Sequence, residues 1–255
     1  MWTLMNQEEF DRAEKYDRMI NWKTRLEREL PLLESFLPKG RILDLACASG
    51  RHSLALQNVG YECLGIDVSE AMISIAKRLA EKEGSSAIFM VEDLTLPGLK
   101  NRLEESGYPA SFDGAILLGN AIANMASLEA ATNLLTNVHT LLKHGGRLVM
   151  HTINRPRDLH YIPLRRLNQK TLVQRIMVPV TNQSHNAELR VNFIDTESLN
   201  YLQQSSSPLY MFTFREMEAL LTKLGFKILH TFGGFDQSPS SEKDGNSVVW
   251  VAEIP

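Results

Sequence analysis

The sequence predicts an α/β fold: a three-layer sandwich built on a mostly parallel seven-stranded sheet with an antiparallel last strand, plus a small β insertion. Three observations carry that prediction. Between residues 41 and 152 short apolar runs alternate with helical stretches. Acids close three successive strand-like runs, at Asp44, Asp67 and Asp93. The alternation stops at Asn154 and resumes near residue 208.

Taken in order, Met19, Trp22, Leu26, Leu30, Leu33 and Leu37 recur at helical steps, with Pro31 expected to kink or restart the helix. Strand RILDLA (41–46) leads into a helix over 51–58, and strand ECLGID (62–67) into a helix over 69–84 with Ser69 as N-cap and Gly84 as stop. Strand AIFMVED, a charged loop, strand DGAILLGN, a helix from Ser127 to before Gly145, and strand RLVMHT follow. LVQRIMVPV and LRVNFID read as an inserted hairpin or small sheet. A strand-like entry to a helix comes next. KILHTFGGF and SVVWVAEIP, joined by a turn-rich loop, then pair antiparallel. The implied divisions are 1–40, 41–153, 154–207 and 208–255.

Composition narrows the function. With 255 residues, 44% hydrophobic and 22% charged, the chain is an ordinary globular one. A net charge of -3 gives no continuous basic field, which makes a nucleic-acid partner a poor expectation; Arg155, Arg157, Arg165 and Arg166 form one local basic cluster. The N-terminus turns charged at once and no apolar run reaches the ~20 residues of a bilayer span, so neither signal peptide nor membrane segment is expected. Cys47 and Cys63 show no disulfide or metal pattern, and the seven histidines no ligand spacing, which predicts a cytoplasmic protein without a metal site.

The chemistry concentrates at the strand ends. The turn after the first strand, Ala46-Cys47-Ala48-Ser49-Gly50, keeps one glycine of the G-x-G-x-x-G that a pyrophosphate needs, and Asp44 beside it would repel phosphate. A zwitterionic or cationic nucleoside fits better, its ammonium on Asp44 and its carboxylate on main-chain N–H groups. Asp67, about 20 residues on, suits the two hydroxyls of a ribose, with Val68 beside it. Asp93 and Leu94 can hold an adenine by its amino group and its face. Each acid alone can equally cap a following helix.

As a set, these residues in their strand and helix context resemble class I S-adenosylmethionine-dependent methyltransferases, over about residues 41–152. The resemblance implies a Rossmann-like core binding S-adenosyl-L-methionine. More narrowly, AEKYDRMINWKTRLEREL, DLACASGRHSLAL, AILLGNAIANM and LLKHGGRLVMHTINR are similar to stretches of the glycine and sarcosine N-methyltransferase group. That likeness implies that Leu118, Gly119 and Asn120 line the reaction centre, that Arg25 lies near the amino-acid end of the cofactor or the substrate carboxylate, and that Tyr16 is a lid tyrosine on an N-terminal lid. Ala48-Ser49 departs from the glycine and threonine usual there.

Methyl transfer needs chiefly an in-line approach with water excluded, so the protein can act as a positioner without a covalent residue. An amine arrives neutral; an alcohol would need a base, for which His151 and Tyr161, just past the fifth strand, are candidates. Methylation of a small amine or amino acid leads. Methylation of an alcohol, methylation of tRNA, and cofactor binding without catalysis stay open; acceptor and oligomeric state are not encoded legibly. The insertion, with its arginines and with Tyr161, Phe193, Tyr201, Tyr210 and Phe212, is expected to cap the substrate.

Overall fold

A computed structural model of the chain describes residues 7–125, 127–153, 160–180, 186–240 and 247–255. The N-terminal stripe forms two helices, α1 (Gln7–Met19) and α2 (Trp22–Phe36). The break falls at Ile20–Asn21 rather than at Pro31, because the Asn21 side chain accepts the Thr24 N–H and so starts a new helix. Pro31 sits inside α2 on its exposed side, where water can satisfy the Glu27 carbonyl that loses its partner. The buried face of α2 is Glu29, Leu32 and Leu33, so a carboxylate occupies a position that hydrophobic spacing alone did not mark.

The core then runs β1 (Arg41–Leu45), α3 (Arg51–Asn58), β2 (Glu62–Asp67), α4 (Glu70–Glu83) and β3 (Ile88–Val91). α5 (Leu99–Glu105), β4 (Phe112–Leu117), α6 (Leu128–Leu141) and β5 (Leu142–Ile153) complete it. Ser69 and Gly84 cap α4 as expected. The expected charged loop instead contains α5, whose Leu99 and Leu103 are fully buried beneath polar neighbours. Seven residues are too few for a periodicity to show in sequence.

Four strands follow, β6 (His160–Asn168), β7 (Thr171–Pro179), β8 (Asn186–Asp195) and β9 (Tyr201–Tyr210), forming an antiparallel sheet in the order β6-β7-β8-β9. This sheet runs to Tyr210, three residues beyond the expected end of the insertion. α7 (Phe214–Lys223), opened by a capping box between Thr213 and Glu216, returns the chain to the core. β10 (Lys227–Phe232) and β11 (Ser247–Glu253) close the chain.

The main sheet has seven strands in the order β10-β11-β5-β4-β1-β2-β3, all parallel except β11, which runs antiparallel to both β10 and β5. Alternating side chains feed two cores. Leu43, Leu117, Leu148 and Trp250 face α5, α6 and α7, and Ile42, Ile116, Val149 and Val251 face α2 and α3. Trp250 is fully buried because Thr152 accepts its indole N–H at 2.9 Å. Strand order reverses between β1 and β4, and ligands of open α/β sheets bind outside the strand ends at such a switch point. No helix among the described residues is long and apolar enough to cross a membrane.

Candidate active site

At the switch point the chain after β1 curls through left-handed residues at Ala46, Ala48 and Gly50. A Cβ on Gly50 would lie 2.4 Å from the Phe89 ring, so only glycine lets the start of α3 sit this close to β3. The Ala48 N–H donates to Asp67 at 2.8 Å, and the Ser69 N–H donates to the other oxygen of Asp67 at 2.9 Å. Asp44 is buried and accepts the Ser53 hydroxyl at 2.6 Å.

Asp44 and Asp67 line one cavity of about 300 Å³ together with Ala46, Cys47, Ala48 and Leu118. Burial pushes the pKa of both carboxyls above the ordinary value, for Asp44 against the opposing pull of His52 and Ser53, and the charge of Asp67 adds to the rise at Asp44. Arg25 also lines this cavity but is paired with Glu29 at 3.1 Å, which leaves Asp44 and Asp67 as the acids facing a ligand without a cationic partner of their own among the lining residues. A nucleoside carrying an ammonium and a sulfonium supplies that partner, and a pyrophosphate would be repelled. The residues present thus fit S-adenosylmethionine. Burial likewise raises the Cys47 thiol, which stays a neutral part of the wall.

The end of β4 makes a tight turn in which Gly119 and Asn120 are both left-handed. Asn120 spends its side-chain carbonyl on the Ile153 N–H at 2.8 Å, tying this turn to the end of β5. A Cβ on Gly119 would stand 3.0 Å from the Arg25 guanidinium, so the guanidinium packs against bare backbone. Arg25 faces inward, over the Trp22 ring at 5.1 Å, and its Nε donates to Glu29 at 3.1 Å. Glu29, 2% exposed, also accepts from Arg28 at 2.9 Å and meets His52 Nε2 at 2.8 Å. Burial alone would raise its carboxyl. The His52 hydrogen bond and the charge of Arg25 win and hold the pKa at about 2.

Helix α1 is fastened from the other side. Asp17 accepts from the Ser49 hydroxyl, from Arg51 at 2.8 Å and from the Trp22 indole at 2.8 Å. Burial opposes its ionisation, yet these donors hold its carboxyl below the usual range. Ser49, a departure from the resembling group, is thus the anchor of α1.

Two more cavities adjoin the first, and Tyr16 and Gly119 border all three. One of about 370 Å³ lies between α1 and the inner face of β7, β8 and β9. The other, about 340 Å³, is lined by Arg25, Arg28, Glu29, Arg175 and His151. His151 lies within β5 rather than past it, opposite Val249. Its ring packs on Phe235 and its buried Nδ1 has no hydrogen-bond partner among the described residues. Burial lowers its pKa to about 4, so the ring is neutral at neutral pH.

The fold therefore brings Tyr16, Arg25, Asp44, Ala46, Cys47, Ala48, Asp67, Leu118 and Gly119 to one cavity, with Asn120 and His151 on its neighbours. Val68, between the lining residues Asp67 and Ser69, is 69% exposed and is not itself a lining residue. Asp93 and Leu94 are not among the lining residues: Asp93 accepts the Thr95 N–H and hydroxyl, at 2.8 and 2.7 Å, and Leu94 is buried in the main core. Apolar contact with the core, unreadable from the dipeptide, turned that leucine inward.

Tyr161 lies on β6 opposite Ile176, its side chain outside the described residues. Arg155, Arg157 and the side chain of Arg165 are also outside them. Arg166 is exposed and donates to the Gln169 carbonyl. Among the described residues, the cation that the small sheet turns toward the cavity is Arg175. Of the aromatics, Phe193 lines the large cavity, Tyr201 is exposed, and Tyr210 and Phe212 pack with the main core. Asp17, Trp22, Glu29, His52 and Arg175 escaped the sequence reading, because each looks like an ordinary helix-face or strand residue until its partner arrives from another element.

The strand-end crevice with Asp44 and Asp67 lies in the part of the chain that is similar to class I S-adenosylmethionine-dependent methyltransferases, a likeness that supports S-adenosylmethionine as the cofactor. Residues 42–146 match the family described as Methyltransferase domain. The chain is 31% identical over 136 residues to the methyltransferase YqeM of Bacillus subtilis, covering 52% of this chain and 47% of that one. It is 28% identical over 145 residues to the glycine/sarcosine N-methyltransferase of Aphanothece halophytica, covering 56% and 52%. The chain spans about half the length of the curated relatives it matches. In fold it is similar to CalS10 of Micromonospora echinaspora, an amino pentose methyltransferase solved with S-adenosylmethionine bound, at a TM-score of 0.70 and 17% identity over the whole of both chains.

Proposed function

We propose that the protein transfers a methyl group from S-adenosylmethionine to the nitrogen of a small-molecule amine, acting as a positioner. The observation that carries this reading is the meeting, at Gly119 and Tyr16, of the doubly acidic cavity with a larger one walled by the small sheet. A cofactor site and an acceptor site then share one border, which is what an in-line transfer requires.

Asp44 would pair with the cofactor's ammonium and Asp67 with its ribose hydroxyls, while the turn Ala46 to Gly50 offers main-chain N–H groups to its carboxylate. The exposed Val68, with Asp93 at the end of β3, would border the adenine. The bound cofactor supplies a methyl group on a sulfonium, whose carbon–sulfur bond breaks, the electron pair staying on sulfur, as the acceptor nitrogen forms its bond to carbon. Leu118 and Gly119 border that point. Asn120 keeps the turn in register with β5. Tyr16 and Arg25 exclude water from above, and a neutral His151 can accept an N–H of the incoming amine. Tyr161 stands on the strand that opens the cap.

Calorimetric titration with S-adenosylmethionine and S-adenosylhomocysteine, on the wild type and on Asp67→Ala, tests the reading. Micromolar binding that the substitution weakens at least tenfold supports it. Absence of binding to the folded wild type sinks it, and binding without turnover of any amine points to a cofactor-binding subunit.

A further inference from the structure

The wall of the large cavity has a chemical grain. Residues of one face of β7, β8 and β9 stand in register: Arg175, Val191 and Ser205 form one row, and Met177, Leu189 and Ser207 the next. Phe193 and Gln203 extend the pattern on β8 and β9. Along the strands this makes three lanes. β8 contributes an apolar lane, Phe193, Val191 and Leu189, about 13 Å long at the usual rise per residue. β9 flanks it with an amide and two hydroxyls, Gln203, Ser205 and Ser207, and β7 flanks it with a guanidinium at Arg175. From the roof, Arg12 and Lys15 of α1 add two more cations, the Lys15 ammonium also donating to the Gln203 side-chain carbonyl at 3.1 Å, and no acidic side chain is among the described lining residues.

We infer that the acceptor is an anionic amino sugar: an amine on a polyhydroxylated ring that also carries a phosphate or carboxylate. This rests on the methyltransferase reading and deepens it. A sugar ring has an apolar C–H face and a polar hydroxyl edge, which match the lane of β8 and the ladder of β9. Glycine or sarcosine would leave most of a 370 Å³ cavity unfilled. An aromatic amine would fill the lane but leave Ser205 and Ser207 without a partner from the ligand. The three cations beside an apolar wall favour an anionic substituent, and guanidinium forks pair with phosphate and carboxylate alike. Methylation then forms one C–N bond and releases one proton from the nitrogen, with S-adenosylhomocysteine as the co-product; no further reactant is needed.

The test follows release of S-adenosylhomocysteine with glucosamine 6-phosphate (phosphate arm), muramic acid (carboxylate arm), glucosamine, sarcosine and tyramine. The expected order places one charged amino sugar about tenfold or more above glucosamine in kcat/KM, and glucosamine above sarcosine and tyramine; the arm that wins names the anion. The double variant Ser205→Ala/Ser207→Ala should lower kcat/KM for the sugars about tenfold, chiefly through KM, while the cofactor Kd measured by calorimetry stays unchanged. Arg175→Gln should shrink the gap between charged and neutral sugars. Preference for sarcosine or tyramine, no turnover of any amino sugar, or unchanged sugar kinetics in the serine variant would overturn the inference while cofactor binding remained intact. Loss of cofactor binding by the wild type would instead bring down the methyltransferase reading beneath it.

Discussion

The hydroxyl of Ser49, in the turn after β1, donates to the carboxylate of Asp17 at the end of α1, so the roof over the cavities hangs on the loop that lines the doubly acidic cavity. Arg51 and Trp22 hold the same carboxylate.

Asp17→Ala should therefore loosen α1 without unfolding the core. The change leaves Arg51, itself partly exposed, without its partner, at a cost of about 2 kcal/mol. We expect a few degrees off the thermal midpoint and a cofactor Kd raised roughly tenfold. An unchanged Kd would separate the latch from cofactor binding.

Gly119→Ala tests the turn below Arg25. Gly119 has φ 68°, which costs an alanine about 1–2 kcal/mol, and the new methyl meets the guanidinium at 3.0 Å. The guanidinium is the movable end of a side chain, so the protein should fold. Single-turnover rates should fall about tenfold or more, because Gly119 borders both the large cavity and the doubly acidic one, where the two reactants of the proposed transfer would meet.

The acid limb of stability should depend on Glu29. Its pKa is held at about 2 in the fold against an ordinary value of 4.5, so its ionised form contributes stability that is fully present above 4.5 and is lost as pH falls toward 2. The shift corresponds to about 3 kcal/mol. Glu29→Gln should flatten denaturant midpoints between pH 5 and pH 3 relative to the wild type, and a parallel pair of curves would refute the assignment.

Cofactor affinity should fall on mild acidification, sooner than two ordinary aspartates would allow. Asp44 and Asp67 are both raised by burial, and a cation binds their ionised forms, so protonation competes with it as pH drops through those raised values. Calorimetry with S-adenosylmethionine from pH 7.5 to pH 5 checks this. S-adenosylhomocysteine, which keeps the ammonium and the ribose that would meet Asp44 and Asp67, should lose affinity in parallel over the same range.

Much of the core was legible because its signals are local. β1, α3, β2 and α4 lie where their runs and caps put them, since strand alternation, Ser69 and Gly84 act within a few residues of themselves. Asp44 and Asp67 could be set at one crevice from spacing, as parallel strands bring their carboxyl ends to one edge. α5 was hidden by its brevity and its charges. Leu94 was assigned to a ligand by its neighbour and taken by the core.

What the sequence by itself determined is thus the sheet, its order of elements and the two acids that ask for a cation. Only the tertiary structure decided the rest. Glu29, Arg25 and His52 become one buried cluster because α2 lies across α3, and Ser49 becomes an anchor because α1 presents Asp17 to it. The wall of the large cavity arises from register across three antiparallel strands, which places Arg175, Val191 and Ser205 side by side although they are far apart in the chain. Contacts of that kind are set by packing between elements, and nothing local in any one strand or helix encodes them.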